Sequence, residues 1–174
     1  MISLPKPPFV SQQFGPVTEP LCWAAALSSW QGGTPNRKLE SVPALEQRLS
    51  AAILPDSRGA LDPTKFDIVA RSSNVKFAWR VISGADFVKW NLELGLEMLG
   101  LIYLIAFPSG GNPSKDFSHA RVMYSAWNEM KMTYCIDPLA NDIAWEFSKI
   151  RQFKLIVGVA LERAPSWEPG WVRD

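Results

Sequence analysis

The sequence predicts an α+β fold in which an N-terminal helical part packs against a C-terminal antiparallel β-sheet. In the N-terminal half, apolar residues recur every three to four positions, as they do in amphipathic helices. Beyond Gly100 the period changes to two or to continuous apolar runs, which is typical of strands. A chain of 174 residues can bury one core of ordinary size. We therefore predict a single domain that spans residues 1–174.

The first third of the chain is predicted to be extended and then helical. Its prolines hold residues 1–21 in an extended conformation that cannot be helical. The alanine-rich stretch "CWAAALSSW" favours a helix that begins at Cys22 and ends near Gly32. Two more helices are predicted where a capping residue precedes a proline in the first turn, and these caps are Ser41 and Asp62.

The rest of the chain is predicted to contain one helix and five strands. The stretch "NVKFAWRVI" has the β-branched and aromatic content of a strand. Ser83 is expected to cap a helix that ends near Gly100, with residues 165–174 forming a tail that packs back on the body. The inward face of that helix is predicted to carry Phe87, Trp90, Leu94 and Met98. The further strands are "LIYLIAF", "HARVMYSAW", "KMTYCID" and "KLIVGVALE".

Charge and composition disfavour several classes of partner and site. The formal net charge of +1 gives no reason to expect nucleic acid or an anionic membrane as a partner. The longest apolar run, 99–107, is too short to cross a bilayer, and residues 1–10 do not resemble a secretory signal. We therefore expect a cytoplasmic protein in the producing cell, which only a specialised secretion system would export. Two cysteines and one histidine are too few for a structural zinc site, and no metal or organic cofactor is expected.

The single histidine and one cysteine form the smallest set that a thiol nucleophile and its base require. At the predicted helix start, Cys22 meets unpaired backbone N–H groups and the positive end of the helix dipole, which stabilise a thiolate. A buried structural cysteine at this position is the alternative interpretation. His119 begins a predicted strand and can take the proton from the thiol.

A predicted hairpin brings Asp137 beside His119. Asp137 ends a strand in "YCIDPL", eighteen residues after His119. Two antiparallel strands joined by a short turn near Asn128 and Glu129 fit this interval. The start of the first strand then lies beside the end of the second, where a carboxylate can orient the imidazole. Upstream of the cysteine, Gln12 or Gln13 is a candidate amide donor for an oxyanion.

In this order the motifs "QQ", "CWAAA", "SHARVMYSAW" and "YCIDP" resemble those of papain-like cysteine peptidases. They are most similar to the compact bacterial branch related to double-glycine (bacteriocin-processing) peptidases and to effector or toxin proteases. The resemblance implies a papain-like fold with its active site in the cleft between the helical part and the sheet. It also implies that Cys22 is the nucleophile, His119 the general base and acid, and Asp137 the orienting group.

Two departures from the family pattern bear on the remaining residues. Gln13 is the first candidate for the oxyanion hole and Gln12 the second, but Gln13 precedes Cys22 by nine residues, farther than is usual. The "CGSCW" signature is reduced to "LCW", which argues against the cathepsin branch. Trp23 is expected to wall the substrate cleft.

The predicted function is that of a thiol protease, a cysteine endopeptidase that hydrolyses peptide bonds in a limited set of protein targets, with cleavage after Gly-Gly as one expectation. The resemblance implies a bacterial toxin or secreted effector that acts in a competing or host cell, with a cognate immunity protein as a partner. Three alternatives stay open. The first is another acyl-transfer enzyme on the same triad: a transglutaminase, glutamine deamidase or peptidoglycan amidase. The others are a non-catalytic binding module and a housekeeping peptidase that processes leader peptides.

Overall fold

Helices cover both faces of one antiparallel β-sheet in the computed structural model of this chain. The structure describes residues 1–14, 17–18, 21–55, 57–110, 118–166 and 168–173, with only the backbone of 13–14 and 17–18. The helices are α1 Cys22–Gly33, α2 Val42–Arg48, α3 Phe66–Arg71, α4 Gly84–Phe87, α5 Leu92–Leu99 and α6 Phe147–Ile150. The strands are β1 Ile2–Ser3, β2 Gln13–Phe14, β3 Val17–Thr18, β4 Phe77–Ser83, β5 Ile102–Pro108, β6 His119–Trp127, β7 Met132–Asp137, β8 Asn141–Glu146 and β9 Phe153–Ala160.

Within the described residues, seven strands form the main sheet in the order β4-β9-β5-β6-β7-β8, with β1 paired to the end of β6. All of these pairs are antiparallel. The inner strand β5 is buried at every position except its last, Pro108, which explains its continuous apolar run. The strands β2 and β3 form a separate small hairpin.

Alternate residues of each strand contribute to two cores, one on each face of the sheet. The first core contains Ala120, Val122 and Tyr124 of β6 together with the buried side of α1. The second contains Met123 of the same strand together with Leu92 and Leu96 of α5. The side-chain period of two in a strand therefore decides on which face of the sheet a residue lies.

The helix α1 is buried from Cys22 through Gln31, and its run of alanines lets it lie close to the sheet. The Nε1–H of Trp30 donates to the carbonyl oxygen of Leu101 at 3.1 Å, and its ring meets Phe77 edge-on with centroids 4.5 Å apart. The helix ends at Gly33, where an added Cβ would lie 2.6 Å from the Leu101 side chain. A residue without a side chain is therefore needed for this close approach.

The predicted helix starts at Ser41 and Asp62 are confirmed. The Ser41 hydroxyl oxygen accepts from the Ala44 N–H at 3.3 Å. The Asp62 carboxylate accepts from the Thr64 N–H at 3.0 Å, at the start of a 3-10 turn that leads into α3. At both helix starts, the predicted capping side chain accepts a backbone hydrogen bond from the first turn.

The single helix predicted from Ser83 to Gly100 is wrong, because the chain forms two helices there. Ser83 caps α4, but that helix ends at Phe87, and Asn91 caps α5 by accepting from the Leu94 N–H at 3.1 Å. The second start changes which positions face the core. The buried residues of α5 are Leu92, Leu96 and Leu99, whereas Leu94 and Met98 are 48% and 44% exposed.

The strand β8, the helix α6 and the short strands within residues 1–18 lie outside the sequence-based expectations, and the tail packs as expected. The strand β8 opens with two polar residues and is mostly exposed at the sheet edge, so its pattern gives little signal. Near the C-terminus, Val172 and Trp79 exchange backbone hydrogen bonds of 2.7 and 2.9 Å, and Trp171 is buried. Trp167, the other tryptophan expected to pack back, lies outside the described residues.

Candidate active site

The first residue of α1, Cys22, lies where the helix meets the start of β6. Its N-cap, Leu21, offers no side-chain hydrogen bond, and the first turn carries no acidic residue. The positive end of the helix dipole is therefore left to act on the Cys22 thiol. The Sγ atom lies 3.8 Å from the carbonyl oxygen of Ser118, to which a thiol can donate, and the residue is 8% exposed.

His119 is the first residue of β6 and lies between Cys22 and Asp137. Its Nε2 is 2.8 Å from Oδ1 of Asp137. The ring also shares a hydrogen bond with the Cys22 side chain. Nε2 faces Asp137, and the Cys22 side chain meets the same ring. The three side chains therefore form one continuous hydrogen-bonded chain.

Asp137, the last residue of β7, is buried and held by three donors. Besides the His119 ring, Nε of Arg121 donates to Oδ2 at 2.8 Å, and the Leu139 N–H donates to Oδ1 at 2.8 Å. The predicted hairpin is present, with a turn over residues 128–131. Its register pairs Val122 with Ile136, so one step further brings Arg121 opposite Asp137 and His119 diagonally adjacent.

The electrostatics of the pair favour an imidazolium facing a carboxylate. Burial lowers the pKa of His119, but its hydrogen bonds with Asp137 and Cys22, and their negative charges, outweigh burial and raise the pKa to about 9. Burial raises the pKa of Asp137, but hydrogen bonds from His119, from the Leu139 N–H and from Arg121 lower the pKa to about 2. At neutral pH the His119 ring is therefore protonated beside the Cys22 side chain.

Arg121 is a site residue that the motifs do not indicate. Its guanidinium carbon lies 4.5 Å from the centroid of the Trp145 ring, so the group is held between that ring and Asp137. A signal was nevertheless present in the sequence. An arginine two residues after His119 in an otherwise apolar strand must lie on the same face of the sheet as the histidine.

The two candidate glutamines are placed differently by the structure. Gln12 is buried, and its backbone N–H donates to the carbonyl oxygen of Pro138 at 3.3 Å. It therefore lies beside the turn that follows Asp137. The side chain of Gln13 lies outside the described residues.

Trp23 lies in the core instead of along an open cleft. It is 2% exposed, and its Nε1–H donates to the carbonyl oxygen of Gly59 at 2.7 Å. Its own carbonyl accepts from the hydroxyl of Tyr103 at 2.9 Å. Burial raises the pKa of Tyr103, and the neighbouring Cys22 raises it further, so this hydroxyl stays a proton donor in the hydrogen bond.

Comparisons with known proteins identify the fold. No protein-family model and no curated protein matches the chain. Among solved structures, the chain is similar to the peptidase domain of Streptococcus ComA, a bifunctional ABC transporter involved in a quorum-sensing pathway. The TM-score is 0.56 at 16% identity, over 87% of this chain and 97% of that one. The fold is that of a papain-like peptidase.

The predicted fold class is thereby confirmed, with α1 against one face of an antiparallel sheet and the candidate site where they meet. In the described ranges, no cluster of three His, Cys, Asp or Glu side chains is arranged to hold a metal ion. None of the helices described here has the length and apolar content that crossing a bilayer requires.

Proposed function

We propose that this chain is a cysteine peptidase in which Cys22 is the nucleophile, His119 the general base and acid, and Asp137 the orienting group. The observation that carries the proposal is the hydrogen-bonded chain from the helix-start thiol through the imidazole to the buried carboxylate. Its position in a papain-like peptidase fold supports the same assignment. A thiol, a base and an orienting acid in contact are the groups that acyl transfer requires.

The chemistry follows from the charges of these groups. The Cys22 thiolate attacks the carbonyl carbon of a peptide bond, and a sulfur–carbon bond forms. The imidazolium of His119 gives its proton to the leaving amine as the carbon–nitrogen bond breaks. Water then attacks the acyl-cysteine while the neutral ring accepts its proton, which releases the acid and restores the thiolate. Asp137 holds the ring orientation throughout and stabilises its charged form.

The oxyanion of the tetrahedral intermediate needs donors near the Cys22 sulfur. The backbone N–H of Cys22, at the first position of α1, is free of an intrahelical acceptor by its place in the helix. We assign the second donor to the side-chain amide of Gln12. This residue is buried, and its backbone N–H donates to the carbonyl oxygen of Pro138 in the turn that follows Asp137. Gln12→Ala should lower kcat more than it raises KM, because the oxyanion exists only beyond the ground state.

The direct test is to incubate the protein with a bacterial lysate and to sequence the new N-termini. Wild-type protein should generate cuts that are absent with Cys22→Ala and with His119→Ala, since the chain has no second histidine. Cys135→Ala is the matched control, because it removes the other thiol, which is fully buried in the second core. Cuts that persist in Cys22→Ala would overturn the proposal. Ammonia release or cross-linking without cuts would move the enzyme to the deamidase or transglutaminase class.

We further propose that the preferred substrates carry Gly-Gly before the scissile bond. The proposal rests on the motif resemblance and on the 8% exposure of Cys22, which favours a peptide backbone without bulky side chains. New N-termini should then follow glycine pairs. Cleavage after unrelated residues would contradict this specificity and leave the peptidase proposal intact.

The biological setting that we propose is that of a toxin or secreted effector restrained by an immunity protein. It rests on the motif resemblance alone. Expression of the wild-type chain in the bacterial cytoplasm should slow growth, and Cys22→Ala should not. Equal growth of the two strains would contradict the toxin role.

A further inference from the structure

A cavity of about 390 Å³ lies beside the candidate triad, on the face of the sheet opposite α1. On β6, His119 and Arg121 pair with Ala106 and Leu104 of β5, and both partners belong to the second core. The two side chains therefore start from the face away from the first core, in which Cys22 lies. The lining joins three polar residues, His119, Arg121 and Asp137, to apolar walls that include Trp145 and Phe153.

The cavity and Cys22 lie on opposite sides of the His119 ring. The ring touches the thiol and also lines the cavity, whereas Cys22 is not part of the lining. In peptide cleavage the acyl half is attached to the sulfur, and the amine that leaves takes its proton from the histidine. The first residue after the scissile bond must therefore lie beside the ring. The cavity beyond the ring is in position to receive the side chain of that residue.

Arg121 gives this cavity its chemical character. The Nε–H of Arg121 donates a hydrogen bond to Asp137, and the guanidinium group packs over the Trp145 ring. Its Nη1 and Nη2 donors have no hydrogen-bond partner among the residues that the structure describes, and the side chain is 22% exposed. The charge of a protonated ring is balanced within the proposed Cys22–His119 ion pair, so the attraction for an anion comes from the unpaired edge of the Arg121 guanidinium. A planar fork of N–H donors matches a carboxylate, and apolar walls strengthen the attraction.

We propose that this cavity is a specificity subsite for a carboxylate, carried by an acidic residue that directly follows the scissile bond, and that Arg121 recognises it. The proposal rests on the peptidase function proposed above. Glutamate fits best, because its methylene groups can contact the Trp145 and Phe153 walls while its carboxylate reaches the Nη1 and Nη2 edge. A chain-terminal carboxylate has the same chemistry. It would make the enzyme remove the last residue of a peptide.

The test is cleavage of a peptide library made by trypsin digestion of a bacterial lysate, with Cys22→Ala as the blank. In wild-type cuts, glutamate should follow the scissile bond about tenfold more often than glutamine, relative to the library. Internal cuts before glutamate or aspartate would assign the carboxylate to a side chain, and loss of single C-terminal residues would assign it to the chain end. Cuts with neither preference would overturn the subsite and leave the peptidase proposal standing. No cuts at all would overturn both.

The variants Arg121→Gln and Arg121→Lys test whether the guanidinium causes the preference for glutamate after the scissile bond. Both variants should lower turnover on every peptide, because Asp137 loses a hydrogen-bond partner. This general loss affects cuts before glutamate and before glutamine equally, so it does not change the ratio between them. The ratio should fall to about one in Arg121→Gln and to an intermediate value in Arg121→Lys, which keeps the charge without the fork. Arg71→Gln, the same change at an exposed arginine on α3, should keep the wild-type ratio. An unchanged ratio in Arg121→Lys would overturn the role of Arg121, even if Arg121→Gln cuts nothing.

Discussion

The protonation state of His119 can be measured directly, since it is the only histidine in the chain. The perturbation is the loss of one charged neighbour, by Cys22→Ala or by Asp137→Asn. The pKa of about 9, compared with an ordinary value of 6.5, corresponds to about 3 kcal/mol in favour of the imidazolium. Burial opposes this preference, so it depends entirely on the two hydrogen-bonded neighbours. Each single variant should therefore titrate well below the wild type.

The assay is an NMR titration of protein labelled with ¹³C at histidine Cε1, which gives a single resonance without assignment. Wild-type protein should show a midpoint near 9, both single variants a lower midpoint, and the double variant a midpoint below 6.5, because burial then acts unopposed. A wild-type midpoint near 6.5, or an unchanged midpoint in Cys22→Ala, would refute the ion pair. Arg71→Gln is a suitable control, since that exposed side chain pairs with Asp67 on its own helix.

Two consequences follow for pH dependence. The alkaline limb of kcat/KM should lie near pH 9, because above that value His119 has no proton for the leaving amine. The raised pKa also links protonation of His119 to stability. Its contribution is fully present below pH 6.5, where the unfolded histidine is also protonated, and it is lost as the pH rises through about 9.

Three other measurements test the site and the fold. Iodoacetamide should label Cys22 much faster than Cys135, since burial raises the pKa of the Cys135 thiol to about 12, and equal labelling in a peptide map would contradict a helix-start nucleophile. In urea unfolding, stability should fall between about pH 4 and pH 2 as Asp137 is protonated, and a pH profile left unchanged by Asp137→Asn would contradict its pairing. The lowered pKa of Asp137 corresponds to about 2 kcal/mol. Trp30→Ala should lower the free energy of unfolding by about 3–5 kcal/mol, because the ring is fully buried, whereas a loss below about 1 kcal/mol would contradict the packing of α1.

Local signals predicted the fold best where one residue decides a conformation. The caps at Ser41 and Asp62 and the apolar runs of β5 and β9 were visible because capping and burial leave a pattern in a few neighbouring residues. The break between α4 and α5 was not visible, because Asn91 in a run of apolar residues can equally occupy an exposed helical position. Only packing against the sheet decides between the two.

The candidate site shows the same division. The contact between His119 and Asp137 could be predicted because it depends on one hairpin, whose turn and strand lengths are local. The position of Cys22 beside this pair depends on how α1 crosses the sheet, and only the family resemblance indicated it. The burial of Trp23 depends on its hydrogen bond to Gly59, which is distant in sequence and has no local signal.

In the proposed mechanism, Arg121 also explains how a carboxylate can support a buried histidine that changes charge during the reaction. Asp137 is 3% exposed, and a buried carboxylate without a cation is costly. Each time His119 gives its proton to the leaving amine, Asp137 loses one of its two charged partners. Arg121 remains at 2.8 Å on the other oxygen, so the carboxylate stays ionised while the ring is neutral. The ring can then take a proton from water without competition from a protonated Asp137. Under the two proposals, recognition of a substrate carboxylate and support of Asp137 thus use different edges of one guanidinium.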